Sequence, residues 1–159
     1  MPIPEAVADM LGKPIGEPVI LEIERGAIRR FADAVDDPNP LYHDAEYARN
    51  SKYGEMVAPT GFYGWPVRGA GEMERLGDMM LKLVTAGYPG ILDGGIEYIP
   101  CGRIRAGDIL SGYTSIADIT EKTTKSGKGM LVLMLASDYL NQNGEKVLVI
   151  RRNILCTQL

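Results

Sequence analysis

The sequence predicts one α+β domain over residues 1–159, with a helical first half and an antiparallel sheet in the second half. Apolar residues in the first half recur every three or four positions, which is the spacing of helix faces. The second half instead contains four segments rich in β-forming residues, with glycine-containing breaks between them. A chain of this length can bury a core without metals or disulfides, and no repeat or linker divides it.

The first predicted elements are a short helix that ends near Gly12 and a weakly alternating strand at Glu17–Glu24. The next segment, Arg25–Val35, is predicted to be a helix because its apolar residues form a stripe at helical spacing. Pro38 and Pro40 end this helix, since proline lacks an N–H and disfavours helical backbone in the residue before it.

Two further helices are predicted before the sheet. Asp44 is a favourable N-cap for a short helix at Ala45–Asn50, because its carboxylate can accept hydrogen bonds from backbone N–H groups. A longer helix is predicted at Gly69–Ala86, where apolar residues share one face and Gly87 marks the end.

The predicted strands are Ile91–Ile99, Ile109–Thr123, Met130–Leu140 and Glu145–Cys156. They are expected to form an antiparallel meander, in which the turns KSGKG and NQNG suit hairpins. Every residue of Met130–Ala136 is apolar, which is typical of a strand covered on both faces. An apolar helix from the first half is the expected cover.

Composition and charge exclude several classes of function. The net charge of -4 and the pI of about 5.1 leave no broad basic face for nucleic acid. No apolar run approaches the ~20 residues of a membrane helix, and the first residues lack a secretory signal, so a cytoplasmic protein is expected. With one histidine, Cys101 and Cys156 are expected to be free thiols, and no metal site is predicted.

The segment Phe31–Asp44, FADAVDDPNPLYHD, concentrates the groups that can do chemistry. It holds the only histidine, His43, and histidine is the side-chain type that titrates near neutrality. A neighbouring carboxylate such as Asp37 would form an acid–base pair with it. The same segment is also a strong proline turn followed by the Asp44 cap, which requires no catalytic role.

This segment resembles the motif of the MaoC-like dehydratases and (R)-specific enoyl-CoA hydratases. That family carries Asp-x-Asn-Pro-Leu-His-x-Asp, and the run Asp37–Asp44 reads Asp-Pro-Asn-Pro-Leu-Tyr-His-Asp. Weaker likenesses are the preceding helix IERGAIRRFADAV, the Tyr-Ala after the motif, the MVAP segment and the Gly-Asp pair at 107–108. The likeness covers roughly residues 17–156 and is nearest to the FAS1-like dehydratase branch.

The resemblance implies a hot-dog fold, in which an antiparallel sheet wraps around a central helix. It also implies reversible addition of water to a trans-2-enoyl thioester, giving an (R)-3-hydroxyacyl thioester without a metal or redox cofactor. Coenzyme A or an acyl-carrier protein would carry the substrate. Because family members pair two hot dogs, the expected assembly is a homodimer, or a heterodimer or heterotetramer with a second MaoC-like subunit.

The resemblance also suggests roles for residues of the site. Asp37 is the expected base or water-orienting group, His43 is its proton partner, and Asn39 belongs to the substrate-binding loop. A backbone N–H of Thr60 or Gly61 would polarise the thioester carbonyl, which stabilises the developing oxyanion.

Two further binding residues are predicted from their chemistry. Gly95, in a Gly-Gly pair, would let a ligand approach the backbone closely, although a tight turn explains the pair equally well. Arg103 suits the phosphates of coenzyme A, although an arginine in a turn is commonly just solvated.

The chain departs from the family pattern at two positions. Tyr42 stands where the family has its catalytic histidine, and His43 follows one residue later. Tyr42 is therefore a third candidate for a catalytic group, as a hydrogen-bond donor, because a phenol is a poor base at neutral pH. Pro59 has no N–H to offer at the entrance to the central helix.

These departures leave three functions open. The chain hydrates enoyl thioesters itself, or it is a non-catalytic, substrate-binding subunit of a heteromeric MaoC dehydratase. The third and least favoured function is a hot-dog thioesterase, because that class shares the fold but lacks the Asp-x-Asn-Pro loop.

Overall fold

The computed structural model describes residues 3–62 and 71–158, and for residues 71–75 it describes the backbone alone. The helices of this part of the chain are α1 (Glu5–Ala8), α2 (Arg25–Ala34), α3 (Pro40–His43), α4 (Ala45–Asn50) and α5 (Gly71–Thr85). The strands are β1 (Val19–Glu22), β2 (Gly90–Pro100), β3 (Ile109–Thr123), β4 (Gly129–Leu140) and β5 (Lys146–Thr157).

The described strands form one antiparallel sheet in the order β1-β3-β4-β5-β2. Bulges interrupt the register of β2 between Asp93 and Gly95 and of β3 between Ile116 and Asp118. Such bulges increase the local bend and twist of a strand. The sheet therefore curls, and its inner face is left to be filled by helices.

Helix α5 fills one half of the inner face. Met79 and Leu83 of this helix are buried in one apolar cluster with Leu131 and Leu133 of β4. These two β4 residues are two positions apart, so both side chains lie on the same face of the strand. Burying these four side chains removes a large apolar area from water and holds the helix on the sheet.

Helix α2 fills the other half of the inner face. Ala27 and Ile28 are buried in a second apolar cluster with Leu110 of β3 and Ile150 of β5. Residues 27 and 28 come from the apolar stripe that the sequence predicts for this helix. Because α2 is fixed to the sheet, the loop that follows its last residue starts from a rigid position.

The α+β, hot-dog architecture predicted from the sequence is confirmed by this curled sheet and its inner helix. The predicted helices and strands are present. Ala45–Asn50 and Ile109–Thr123 have the predicted bounds, the first helix ends at Ala8 instead of near Gly12, and the other described ends are shifted by no more than two residues. The first two residues of the helix predicted at Gly69–Ala86 lie outside the described residues.

The predicted meander is wrong for the first of its four strands. β2 pairs with β5, and β1 is the strand beside β3. The segment 101–108 therefore crosses from β2, at one edge of the sheet, to β3, which lies next to the opposite edge, and the meander contains only β3, β4 and β5. Hydrophobic alternation identifies the buried face of a strand but does not identify its neighbour, so the pattern could not reveal this crossing.

The prediction that β4 is covered on both faces is also wrong for the described part of the chain. Leu131, Leu133 and Leu135 are buried on the inner face, whereas Met130 and Val132 on the outer face are only half-buried. No described helix of this chain joins the outer face in a core cluster.

A buried carboxylate ties the crossing segment to the β4–β5 turn. Asp108 accepts hydrogen bonds from the backbone N–H of Arg105 at 2.7 Å and from Nε2 of Gln142 at 3.1 Å. The Gln142 Oε1 atom in turn accepts a hydrogen bond from the Ile109 N–H at 3.0 Å. The carboxylate and the amide thus satisfy each other inside the protein, as buried polar groups require.

A helical turn, α3, replaces part of the loop expected between α2 and α4. Asn39 caps it, because its Oδ1 accepts a hydrogen bond from the Leu41 N–H at 3.1 Å, and Pro40 occupies the first helical position. The Asp44 carboxylate caps α4 as predicted, since it accepts from the N–H groups of Glu46 and Tyr47. Among the described helices, none is long and apolar enough to cross a bilayer.

Candidate functional site

The candidate loop between α2 and α3 is held by hydrogen bonds within its own residues. Asp36 has a left-handed backbone with φ 54°, a conformation that aspartate tolerates better than most residues. The Asp37 N–H then donates to the Ala32 carbonyl at 2.9 Å. The Asp37 Oδ1 accepts from the Asn39 N–H at 3.1 Å, so the carboxylate helps to close the turn into α3.

His43 is fastened to this loop through its imidazole ring. Its Nε2 atom lies 2.8 Å from the backbone carbonyl oxygen of Asp37. A carbonyl oxygen can only accept, so Nε2 carries the proton and donates it. The other ring nitrogen, Nδ1, lies 3.7 Å from Oδ1 of Asp33, and the His43 side chain is 30% exposed.

His43 is bonded to Asp37 as expected, but to its backbone carbonyl and not to its carboxylate. The described bond joins His43 to the backbone carbonyl of Asp37, while the Asp37 carboxylate holds the Asn39 N–H. The carboxylate nearest to Nδ1 belongs to Asp33, whose side chain is 69% exposed. The two groups lie in one loop, but the acid and the imidazole do not hydrogen-bond to each other in the described contacts.

Tyr42 lies on the inner side of the loop. It packs against the apolar cluster that contains α2, and it is half-buried. Burial raises the pKa of its phenol, the charge of Asp37 raises it further, and the charge of Arg103 opposes both. Because its pKa is raised, the phenol is neutral near pH 7, and its role as a hydrogen-bond donor stays a prediction.

The helical backbone of α3 changes the relation between Tyr42 and His43 that an extended loop would give. In an extended segment the two side chains would point to opposite sides, whereas on a helix they diverge by about 100°. Both side chains are half-buried: Tyr42 packs against the apolar cluster that contains α2, and the His43 side chain is 30% exposed.

A cationic group adjoins the phenol. The guanidinium carbon of Arg103 lies 5.2 Å from the ring centroid of Tyr53, and Nζ of Lys52 lies 5.1 Å from the same centroid. Both distances suit a cation–π contact. The charges of Arg103 and Tyr53 both affect the pKa of Tyr42, so these two residues lie next to the candidate loop.

The predicted carbonyl-binding segment lies beside α2. Gly61 has φ 88°, and Cζ of Phe31 is 3.9 Å from where a Cβ would stand on it. Phe31 also packs edge-on against Phe62, with ring centroids 5.5 Å apart. Thr60 is exposed, so its N–H and that of Gly61 stay predictions as donors to a thioester oxygen.

Gly95 lies elsewhere. It occupies the bulge of β2 with φ 121°, and its N–H donates to Oδ1 of Asp93 at 3.0 Å. The residue is exposed, and among the described contacts none joins it to the loop. The Gly-Gly pair therefore forms a β-bulge within β2, not the tight turn that the sequence suggested.

The sequence analysis did not identify three residues of this region. Asp33 approaches His43 across a ten-position separation that depends on the fold of the loop, so no local pattern could reveal it. Lys52 and Tyr53 offered a weak signal, because a cation beside an aromatic residue directly follows α4. Within residues 3–62 and 71–158, no group of three potential metal ligands was found.

The curled sheet and the inner helix form a hot-dog fold, and a MaoC-like dehydratase of known structure also has this fold. The chain matches the model of a family described as FAS1-like, dehydratase domain region, over residues 9–149. It therefore belongs to this family, whose members are MaoC-like hydratases and dehydratases.

Three known proteins illustrate the relationship. The UPF0336 protein of Thermobifida fusca is 34% identical over 143 residues, which are 87% of this chain and 86% of that protein. A probable enoyl-CoA hydratase alpha subunit of Thermomonospora curvata is 30% identical over 91% of this chain but only 49% of its own length, so the chain spans about half of it. A chain of the ChsH1-ChsH2 complex of Mycobacterium tuberculosis has a TM-score of 0.78 with 22% identity, covering 97% of this chain and 95% of that one.

Proposed function

We propose that this chain is the substrate-binding subunit of a heteromeric enoyl-thioester hydratase/dehydratase. A second MaoC-like subunit supplies the general acid–base pair. The observation that carries the proposal is the 2.8 Å bond from Nε2 of His43 to the backbone carbonyl of Asp37. That bond makes the imidazole part of the loop's own structure.

Hydration needs a carboxylate and an imidazole that face one water molecule. The Asp37 carboxylate instead accepts the Asn39 N–H, and the neutral phenol of Tyr42 stands at the sequence position where the family has its catalytic histidine. The phenol can orient a ligand by donating a hydrogen bond, but it cannot remove a proton from water near pH 7. The loop is therefore suited to binding a substrate rather than to activating water.

The comparisons support a partner of the same class. One relative is named as an alpha subunit of an enoyl-CoA hydratase, and one structural neighbour is a complex of two different components. The reaction proposed for the assembly is reversible hydration of a trans-2-enoyl thioester. As in the family, neither a metal nor a redox cofactor is proposed.

A second candidate function is hydration by this chain itself. Nδ1 of His43 is the ring nitrogen that the bond to Asp37 does not use, and it lies 3.7 Å from the Asp33 carboxylate. That geometry leaves one ring nitrogen next to an acid near the surface, although the pair is not the Asp37–His43 pair of the motif.

The test is a reconstitution assay with crotonyl-CoA and longer trans-2-enoyl-CoA esters. The chain is purified alone and also with a MaoC-like protein of the same organism that has the complete Asp-x-Asn-Pro-Leu-His motif. We expect the chain alone to be inactive and the mixture to hydrate the substrate. Asp37→Asn in this chain should change the rate of the mixture by less than about threefold, whereas the equivalent change in the partner should lower it by at least about 100-fold.

Two results would contradict the subunit proposal. If the chain alone hydrates the substrate and Asp37→Asn or His43→Gln removes that activity, this chain is itself the hydratase. If the chain instead releases free coenzyme A, detected with a thiol reagent, it is a thioesterase. His43→Gln is informative because the amide can still donate to the Asp37 carbonyl but cannot act as a base.

A further inference from the structure

We propose that Lys52, Tyr53 and Arg103 form a site for the phosphate of the phosphopantetheine arm that carries the thioester. The inference rests on the proposed function for its substrate class, but it concerns residues of this chain alone. Lys52 and Tyr53 lie in the turn after α4, and Arg103 lies in the segment that crosses from β2 to β3. The fold brings both cations to one aromatic ring, at 5.1 and 5.2 Å from its centroid.

The two cations lack a counter-charge. Neither Lys52 nor Arg103 has an ion pair with a carboxylate in the described part of the chain. The acid nearest in sequence, Glu55, is already used: Arg25 donates to both of its oxygens, and the Met56 N–H donates to one of them. These bonds lower the pKa of Glu55, because they favour its charged form.

Lys52 and Arg103 both contact the ring of Tyr53, so two positive charges lie within reach of one aromatic side chain. The whole chain carries a net charge of -4, so this pair is not part of a general positive surface. An uncompensated pair of cations in an acidic protein is a selective place for an anionic ligand.

The backbone around the pair is firmly held. The N–H groups of Cys101 and Gly102 both donate to the Val147 carbonyl, at 2.9 and 3.0 Å, immediately before Arg103. The Tyr53 N–H donates to Oγ of Ser51 at 3.1 Å, which holds the backbone of Tyr53. Such a preorganised site loses little entropy when a ligand binds.

The chemistry of the three side chains fits a phosphate ester. A guanidinium can donate two parallel hydrogen bonds to phosphate oxygens, and an ammonium adds a compact charge. Tyr53 holds both cations by cation–π attraction. The site adjoins Tyr42, whose phenol feels the charge of Arg103, so a ligand held by its phosphate here would lead to the Asp37 loop.

The experiment measures binding to the purified full-length chain by isothermal titration calorimetry, with no requirement for activity. The probes are coenzyme A, 4′-phosphopantetheine and pantetheine. We expect the two phosphorylated probes to bind at least about tenfold more tightly than pantetheine, because a charged hydrogen-bonded pair contributes roughly that factor or more. Raising the salt concentration should weaken the phosphorylated probes only.

Variants locate the site. Arg103→Gln and Lys52→Gln should each weaken coenzyme A by about tenfold and leave pantetheine unchanged. Tyr53→Leu should weaken it, whereas Tyr53→Phe should not, because phenylalanine keeps the ring. Lys125→Gln, in the exposed β3–β4 turn, removes an equal charge and is the matched control.

The same binding data show which part of the thioester carrier the site recognises. Equal affinity for coenzyme A and 4′-phosphopantetheine would support recognition of the arm itself, which coenzyme A and an acyl-carrier protein share. Tighter binding of coenzyme A, lost with dephospho-coenzyme A, would support recognition of the nucleotide. Coenzyme A that fails to bind, or that binds equally well to a folded Lys52→Gln/Arg103→Gln double variant, would overturn the inference without affecting the hydration assay.

Discussion

At the scale of single residues, the motif predicted the chemical groups of the candidate site but not their partners. Asp37, Asn39, Tyr42 and His43 all lie in one short loop, as the resemblance implied. The partner of Nε2 could not be predicted, because it depends on the direction of a backbone carbonyl set by the left-handed Asp36. A pattern of side chains carries no information about the orientation of that carbonyl.

The bond between His43 and the Asp37 carbonyl should contribute to stability. His43→Ala removes the donor, and we expect the free energy of unfolding to fall by about 1 kcal/mol. His43→Gln should lose less, since its amide nitrogen can reach a similar position. Urea denaturation followed by circular dichroism measures both. Equal midpoints for His43→Ala and the unchanged protein would show that the bond is not formed in solution.

At the scale of secondary-structure elements, the sequence located helices and strands more reliably than it located their neighbours. The periodicity of α2 and α5 predicted their buried faces in part. Ala27, Ile28 and Leu83 are buried as their spacing predicts, whereas Ala34 and Val35 at the end of the α2 stripe are exposed. The pairing of β2 with β5 was missed, because the crossing segment 101–108 contains no signal for its destination. The α3 turn was missed because Pro-Asn-Pro is typical of loops, whereas Pro40 here begins a helix.

Substitutions of two glycines, Gly112 in β3 and Gly77 in α5, are expected to have opposite effects on the free energy of unfolding. A Cβ at Gly112 would lie 2.6 Å from Cε1 of Tyr139, so Gly112→Ala should lower the free energy of unfolding by about 1–3 kcal/mol.

Gly77 is the matched control, because it is exposed in α5 and a Cβ there meets nothing within 4 Å. Gly77→Ala should raise the free energy of unfolding by about 1 kcal/mol, as alanine favours helix. Thermal and urea unfolding of both variants provide the measurement. A stable Gly112→Ala protein would mean that Tyr139 can move aside.

At the scale of the whole molecule, two apolar clusters share one curled sheet. Cys156 belongs to the α5 cluster and is fully buried, and burial raises the pKa of its thiol to about 11. Cys101 is exposed at the end of β2. Cys101 is therefore expected to react in the folded protein, whereas Cys156 is expected to react only when the core opens.

A thiol-counting experiment at pH 8 should separate them. We expect one fast-reacting thiol in the folded protein, from Cys101, and two in guanidinium chloride, because Cys156 is shielded and remains protonated well above pH 8. Cys101→Ser should leave no fast thiol in the folded protein. Two fast thiols without denaturant would indicate that the α5 half of the core opens readily.

The buried Asp108 carboxylate limits which changes in loop length and sequence the fold can accept. It joins the backbone of Arg105 to the Gln142 side chain, which comes from a hairpin more than thirty positions later in the chain. A shortened or lengthened hairpin would withdraw that amide and leave a buried carboxylate oxygen without its donor. The conformation of the loop that contains Arg103 thus depends on a distant turn. A change in the sequence of one segment therefore requires a compensating change in the other.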